Sequence, residues 1–283
     1  LRTFKLIISC PDGIGIVASI SGFIASFNGW IVSADHYSDV QSGQFFMRYE
    51  IRSDSIPFSL VEFKQQITPV IAKFGGNWQV TDSANTKKLV LLASKESHCL
   101  VDLLHRWHTK ELDCQIVGVI SNHQDVKDLV KWYGVDFYYE PVNPNNKNIA
   151  FNNIENIVQQ KQADCLVLAR YMQIFPPNLC AKYKNKILNI HHSFLPSFVG
   201  AKPYHQAAIR GVKLIGATCH YVTEDLDAGP IIEQDVVRVN HKHSADDMVQ
   251  LGRDVERRVL TRGVKLHLAD RIMVHGNKTV LFD

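Results

Sequence analysis

The sequence predicts an α/β protein of two domains, a small βαββαβ unit followed by a larger, doubly wound, mostly parallel sheet. Three observations carry this reading. The chain has 283 residues, of which 46% are hydrophobic, too many for one small domain and enough for a sizeable core. Its early apolar stretches mix period-2 alternation with two helix-period runs. Beyond residue 88, continuous apolar strands alternate with helical patterns, as a parallel sheet covered on both faces requires. Between the two regimes lies the polar segment Ser83-Ala84-Asn85-Thr86-Lys87, a linker by composition. The expected domains are therefore 1–83 and 88–283.

In chain order, Phe4 to Cys10 reads as a strand ending in the turn Pro11-Asp12-Gly13. Ile16, Ile20, Phe23, Ile24 and Phe27 have helical spacing, and Asn28-Gly29 stops that helix. Trp30 to Ser38 alternates like a strand, Gln41-Ser42-Gly43 turns, and Gln44 to Ile51 returns as its hairpin partner. Phe58 to Phe74 forms a second amphipathic helix before Gly75-Gly76, and Asn77 to Thr81 gives a last strand. This βαββαβ order is ferredoxin-like.

The second domain begins with a strand at Leu89 to Ala93 and a helix at His98 to His108. Gln115 to Ile120 (strand), Gln124 to Tyr133 (helix) and Phe137 to Tyr139 (short strand) follow. Next come a loop and helix over Asn145 to Gln160, a strand at Cys165 to Ala169 and a short helix at Pro177 to Tyr183. Lys186-Ile187-Leu188 ends a buried strand, Gly216 to Val222 is another, and Ile231 to Val239 suits a sheet edge. Ser244 caps a long helix reaching about Ala269. Ile272 to Val274 and Thr279 to Phe282 flank Gly276-Asn277 as a terminal hairpin.

Composition narrows the function classes. The formal charge is +3 with no Lys/Arg block, so nothing suggests a groove for a nucleic-acid backbone. The mild basicity suits a polyanionic small molecule. Cys10, Cys99, Cys114, Cys165, Cys180 and Cys219 are scattered without Cys-x-x-Cys pairs and read as free thiols of a reducing cytoplasm. No apolar run approaches the roughly eighteen residues a membrane span needs, and no signal-peptide layout opens the chain. A soluble cytoplasmic protein is the expectation.

The chemistry centres on Asn189-Ile190-His191-His192-Ser193-Phe194-Leu195-Pro196-Ser197-Phe198, directly after an apolar strand. Asn189 and His191, two residues apart, share one side of an extended backbone. At a strand's carboxyl end that side opens into the crevice where α/β folds bind ligands. An amide donor beside an imidazole can polarise a carbonyl oxygen and handle a proton. Downstream, Gly216 to Val222 carries His220, followed by Thr223-Glu224-Asp225-Leu226-Asp227-Ala228-Gly229-Pro230. No Gly-x-Ser-x-Gly elbow surrounds Ser193 or Ser197, so neither reads as a nucleophile. His241 and His243 lack a third ligand at a recognisable spacing, and no metal is expected.

With these residues the chain resembles the folate-dependent formyltransferase fold group, which includes ribonucleotide transformylases and deformylases. The resemblance runs from about Lys88 to the C-terminus, roughly two-thirds of the chain. It implies that Asn189, His191 and Asp227 are catalytic, that His220 supports them, and that no cofactor is bound. It further implies a pterin pocket lined by Met172, Gln173, Ile174 and Phe175 and by the loop residues Thr223, Glu224, Asp225 and Leu226. The first strand-to-helix turn of this domain, Ser94-Lys95-Glu96-Ser97-His98-Cys99-Leu100, has no glycine and carries Glu96. Such a turn cannot easily approach a phosphate and would repel one. That turn, with His192 where transformylases usually carry proline, resembles the deformylase branch. The reaction implied is hydrolysis of 10-formyltetrahydrofolate to tetrahydrofolate and formate, serving one-carbon balance and purine biosynthesis. The alternatives are formyl transfer to an amine acceptor, or a non-catalytic folate or amino-acid sensor.

The N-terminal domain, with Pro11-Asp12-Gly13-Ile14-Gly15 between strand and helix, resembles an ACT domain. The resemblance makes Asp12, Gly13, Ile14 and Gly15 candidate effector-binding residues for an amino acid, and implies a homo-oligomer. The glycines alone equally suit a tight turn.

Overall fold

The computed structural model describes residues 1–197 and 203–282; Phe198, at the end of the Asn189–Phe198 stretch, lies outside them. The chain divides into two compact units. The first contains Leu1–Thr86, Asp270–Met273 and the last residues from Val280, and the second contains Lys87–Ala269 and Val274–Thr279.

The first unit has the expected ACT-like βαββαβ order: β1 (Thr3–Pro11), α1 (Ile16–Ser26), β2 (Ile31–Asp39), β3 (Gln44–Arg52), α2 (Leu60–Ile71) and β4 (Asn77–Asp82). Its antiparallel sheet is ordered β2-β3-β1-β4. Gly15, at φ 87°, turns the chain from β1 into α1. Ser59 and Glu62 form a reciprocal capping box at the start of α2, which satisfies amides the helix itself cannot. One face of the sheet buries Phe4, Leu6, Ile8, Met47, Tyr49 and Ile51 against Ile20 and Ile24 of α1 and Phe63 and Ile67 of α2. On the other face, Ile7 and Phe46 pack with Met273 and Phe282 from the end of the chain.

The second unit contains β5 (Lys88–Ala93), α3 (His98–His108), β6 (Gln115–Ser121), α4 (Lys127–Trp132), β7 (Phe137–Tyr139), α5 (Lys147–Gln160) and β8 (Cys165–Leu168). It continues with α6 (Pro177–Lys182), β9 (Ile187–His191), α7 (Pro203–Arg210), β10 (Leu214–Tyr221), β11 (Ile231–Arg238) and α8 (Ala245–Leu268). The sheet order is β11-β10-β9-β8-β5-β6-β7. Strands β9 through β7 in that order are parallel, whereas β10 runs antiparallel to both β9 and β11. Strands β5 and β8 are almost wholly buried, as strands covered on both faces must be. From β5 the chain steps outward through β6 and β7, then crosses back to β8 and β9. The strand order therefore reverses between β5 and β8, and ligands bind at the carboxyl ends of strands beside such a reversal. Strands β12 (Ile272–His275) and β13 (Lys278–Leu281) form a two-stranded sheet.

Helix α7 has no counterpart in the pattern reading. Among the described side chains its two turns bury Tyr204 and Ala207, which pack with Ile215, Val239 and Met248, too few apolar positions to register as a period. Helix α4 starts at Lys127, three residues later than the pattern suggests.

Candidate active site

The register of β9 against β10 builds the site. His220 lies directly opposite Asn189, and Thr218 opposite His191, so Asn189, His191 and His220 share one face at the carboxyl end of β9. The Asn189 Nδ2 group lies 3.1 Å from His220 Nε2, and His220 Nδ1 lies 2.9 Å from the Tyr221 carbonyl oxygen. A carbonyl only accepts, so Nδ1 carries the His220 proton and Nε2 accepts from the Asn189 amide. This arrangement fixes which end of the Asn189 amide faces His220 and leaves its second N–H available. His220 is 2% exposed, and burial lowers its pKa below the ordinary histidine value, consistent with a neutral ring.

Asp227 arrives from the loop between β10 and β11. Its φ of 55° is left-handed, an uncommon conformation for a non-glycine residue that recurs at functional sites. Two residues later the chain folds back so tightly that a Cβ on Gly229 would lie 1.8 Å from the Tyr221 carbonyl oxygen. Only glycine fits there. The result places Asp227 Oδ2 3.2 Å from His191 Nδ1 and Oδ1 3.7 Å from His220 Nε2. Burial raises the Asp227 carboxyl, but the hydrogen bond from His191 and the histidines around it outweigh burial and leave it below the ordinary carboxylate value. His191 Nε2 is buried without a hydrogen-bond partner among the described residues.

These four side chains border a cavity of about 250 Å³. Met172, Gln173, Ile174 and Phe175, which follow β8, form one wall, and Thr223, Glu224, Asp225 and Leu226 form another. Every candidate site residue of the second domain is thus brought together. Met172, Ile174 and Leu226 are exposed at the mouth, whereas Phe175 is 5% exposed and also packs edge-on against Phe151 and Tyr171. The Met172 amide donates to Ser94 Oγ at 3.0 Å, and Ser94 in turn donates to Asn122 at 2.6 Å. That buried pair ties the wall to the ends of β5 and β6. Asp12, Gly13, Ile14 and Gly15 belong to the first unit, where all four are exposed.

A group absent from the pattern reading lies behind Arg170, which lines the cavity. Glu256 of α8, 1% exposed, accepts from Tyr204 Oη at 2.7 Å, lies 2.8 Å from His98 Nε2 and pairs with Arg170 Nε at 3.3 Å. Tyr204 lies flat on α8 because Gly252 leaves room; a Cβ there would come within 2.2 Å of its ring. Glu96 pairs instead with Arg253 at 2.6 Å. His98, Cys99 and Glu256 offer ligand atoms within 4.8 Å of one another. The set suits a cation poorly, because Arg170 already neutralises Glu256 and burial pushes the Cys99 thiol well above its ordinary value. His192, also in the cavity wall, is pushed down to about 3 by burial first and then by the Arg170 charge. No local sequence signal marked Glu256, which sits among ordinary helix charges; His192 was visible only as a departure from proline.

A family profile described as formyl transferase matches residues 87–264. Over its whole length the chain is similar to two proteins named formyltetrahydrofolate deformylase. The one from Synechocystis is 46% identical, covering 99% of this chain and 98% of the relative. The one from Corynebacterium sp. (strain P-1) is 43% identical, covering 98% and 96%. The crystal structure of a formyltetrahydrofolate deformylase from Pseudomonas syringae pv. tomato superposes with a TM-score of 0.98 at 61% identity, covering 100% of this chain and 95% of the other. By full-length identity, by fold and by the cavity that gathers Asn189, His191, His220 and Asp227, the chain belongs to the formyltetrahydrofolate deformylase family.

Proposed function

We propose that Asn189, His191 and Asp227 carry out hydrolysis of 10-formyltetrahydrofolate to tetrahydrofolate and formate, with His220 as support. The observation that carries this reading is the pair of donors converging on one cavity, each with its far side already bonded. The free N–H of Asn189 donates to the formyl oxygen. His191, held by Asp227 at Nδ1, presents Nε2 to the same oxygen or to N10. Preorganised donors of this kind are worth about 3–4 kcal/mol each where an oxyanion develops.

Water attacks the formyl carbon as Asp227 takes one of its protons, and the tetrahedral oxyanion rests on Asn189 and His191; the formic acid released after C–N10 cleavage gives up its proton to become formate. As the C–N10 bond breaks, N10 takes a proton from His191 and leaves as the neutral amine. Asp227 Oδ2 holds His191 at Nδ1, and its Oδ1 orients the attacking water. The walls Met172–Phe175 and Thr223–Leu226 hold the pterin, offering apolar side chains beside backbone polar groups. Residues 1–83 serve as a regulatory domain for residues 88–283, with an amino-acid effector at Asp12–Gly15 and a homo-oligomeric assembly. Six unpaired, buried cysteines support a reducing, cytoplasmic setting, and no helix among the described residues is long and apolar enough to cross a membrane.

The test is formate release from 10-formyltetrahydrofolate with no amine present. Catalytic release that disappears in His191→Ala supports the reading. Release that depends on an added amine replaces it with formyl transfer.

A further inference from the structure

We infer that Arg170 forms an anion subsite that receives the formate produced by hydrolysis. The inference rests on the hydrolytic reading of the site and extends it to the product. Arg170 follows β8 at φ 64°, a left-handed conformation that costs a non-glycine residue on the order of 1 kcal/mol. The strain accompanies a specific placement, in the same cavity wall as His191 and His192 and close enough to His192 for its charge to act there. Its Nε lies 3.3 Å from Glu256 as an ion pair without a hydrogen bond, and Glu256 is itself held by His98 and Tyr204. A buried carboxylate with three partners is a rigid anchor.

That anchor engages only one edge of the guanidinium. The two Nη groups have no hydrogen-bond partner among the described residues, and neither is among the buried unpaired atoms. Two parallel N–H donors in one plane match a carboxylate in bidentate fashion. Among the described residues, Arg170 is the sole guanidinium in the cavity wall. Transfer of a formyl group to an amine yields a neutral amide, whereas hydrolysis yields an anion. Only hydrolysis therefore leaves a carboxylate product for a guanidinium in the cavity wall to hold. His192, in the same wall, is held neutral by burial first and then by the Arg170 charge and adds no second cation. The folate glutamate tail offers the same carboxylate chemistry. The groups placed against Arg170 are Glu256 and His192, and the folate-binding arm of the experiment separates the tail from formate.

The experiment is ¹³C-formate titration of the full-length protein, followed by NMR line broadening, at constant ionic strength, with formate release assayed in parallel. The wild-type protein is expected to bind formate saturably, and Arg170→Met to weaken that binding at least tenfold. Should Arg170→Met fail to fold because Glu256 is left unpaired, the double variant Arg170→Met, Glu256→Gln removes both charges and must show the same loss. Formate binding unchanged in either folded variant overturns the proposal, as does absence of saturable binding by the wild type. Weaker folate binding with unchanged formate binding assigns Arg170 to the glutamate tail and also overturns it. A wild-type protein that binds formate through Arg170 yet releases none from 10-formyltetrahydrofolate upholds the subsite while removing the hydrolytic reading.

Discussion

Replacing His220 with leucine tests whether its neutral ring orients Asn189. The substitution removes the acceptor 3.1 Å from Asn189 Nδ2 and the donor to the Tyr221 carbonyl while keeping an apolar body in a buried position. A neutral hydrogen bond is worth about 0.5–1.5 kcal/mol net, so the amide loses that much orientational preference and spends more time flipped. Because 1.4 kcal/mol is tenfold in rate, kcat should fall roughly tenfold. The ceiling is the ~10²–10³-fold loss expected from deleting an oxyanion donor outright. KM should change little, since the contact matters most in the transition state. Steady-state formate release by His220→Leu, Asn189→Ala and the double variant forms a mutant cycle. Orientation of Asn189 by His220 predicts that His220→Leu costs almost nothing once Asn189 is gone. A wild-type kcat in His220→Leu, or full additivity in the double variant, would refute the reasoning.

Asp227→Asn should lower kcat by at least ~10² with folate affinity, read by fluorescence titration, nearly unchanged; a near-normal rate removes Asp227 from the mechanism. Gly252→Ala should destabilise the protein in thermal denaturation. The Cβ would meet the Tyr204 ring, an overpacking cost of about 1–3 kcal/mol that exceeds the roughly 0.5–1 kcal/mol gained in helix propensity. For His192, whose folded pKa is depressed from 6.5 to about 3, the unfolded chain binds the extra proton between those values. Stability therefore falls as pH drops through that window, by at most about 1.4 kcal/mol per pH unit from this group. His192→Gln should flatten the slope in denaturant titrations across pH 6.5 to 4, and an unaltered slope would show that His192 is not the group responsible.

The sequence carried the local parts of this site and not the non-local ones. Asn189 and His191 could be placed on one face because strand periodicity is a property of consecutive residues. The loop ending Asp227-Ala228-Gly229-Pro230 was marked by its acidic run and by the resemblance to a known family. What periodicity does not contain is register. Whether His220 met Asn189 or pointed away depended on how β10 pairs with β9, and a one-residue slip would have reversed it. The Glu256 group was hidden for a related reason. Its members come from α3, the segment after β8, α7 and α8, and helix α7 buries too few residues to announce itself. Likewise, nothing local in Met273 or Phe282 indicates that they pack with Ile7 and Phe46; from pattern alone they form only a terminal hairpin.

The central claim is that water, admitted to a cavity built by Asn189, His191 and Asp227, attacks the formyl carbon. Running the reaction in ¹⁸O-labelled water, with no amine present, and analysing the formate by mass spectrometry tests this most directly. Hydrolysis predicts one labelled oxygen per formate released, at a rate that collapses in His191→Ala. Unlabelled formate, or labelled formate formed equally fast by His191→Ala, would contradict it.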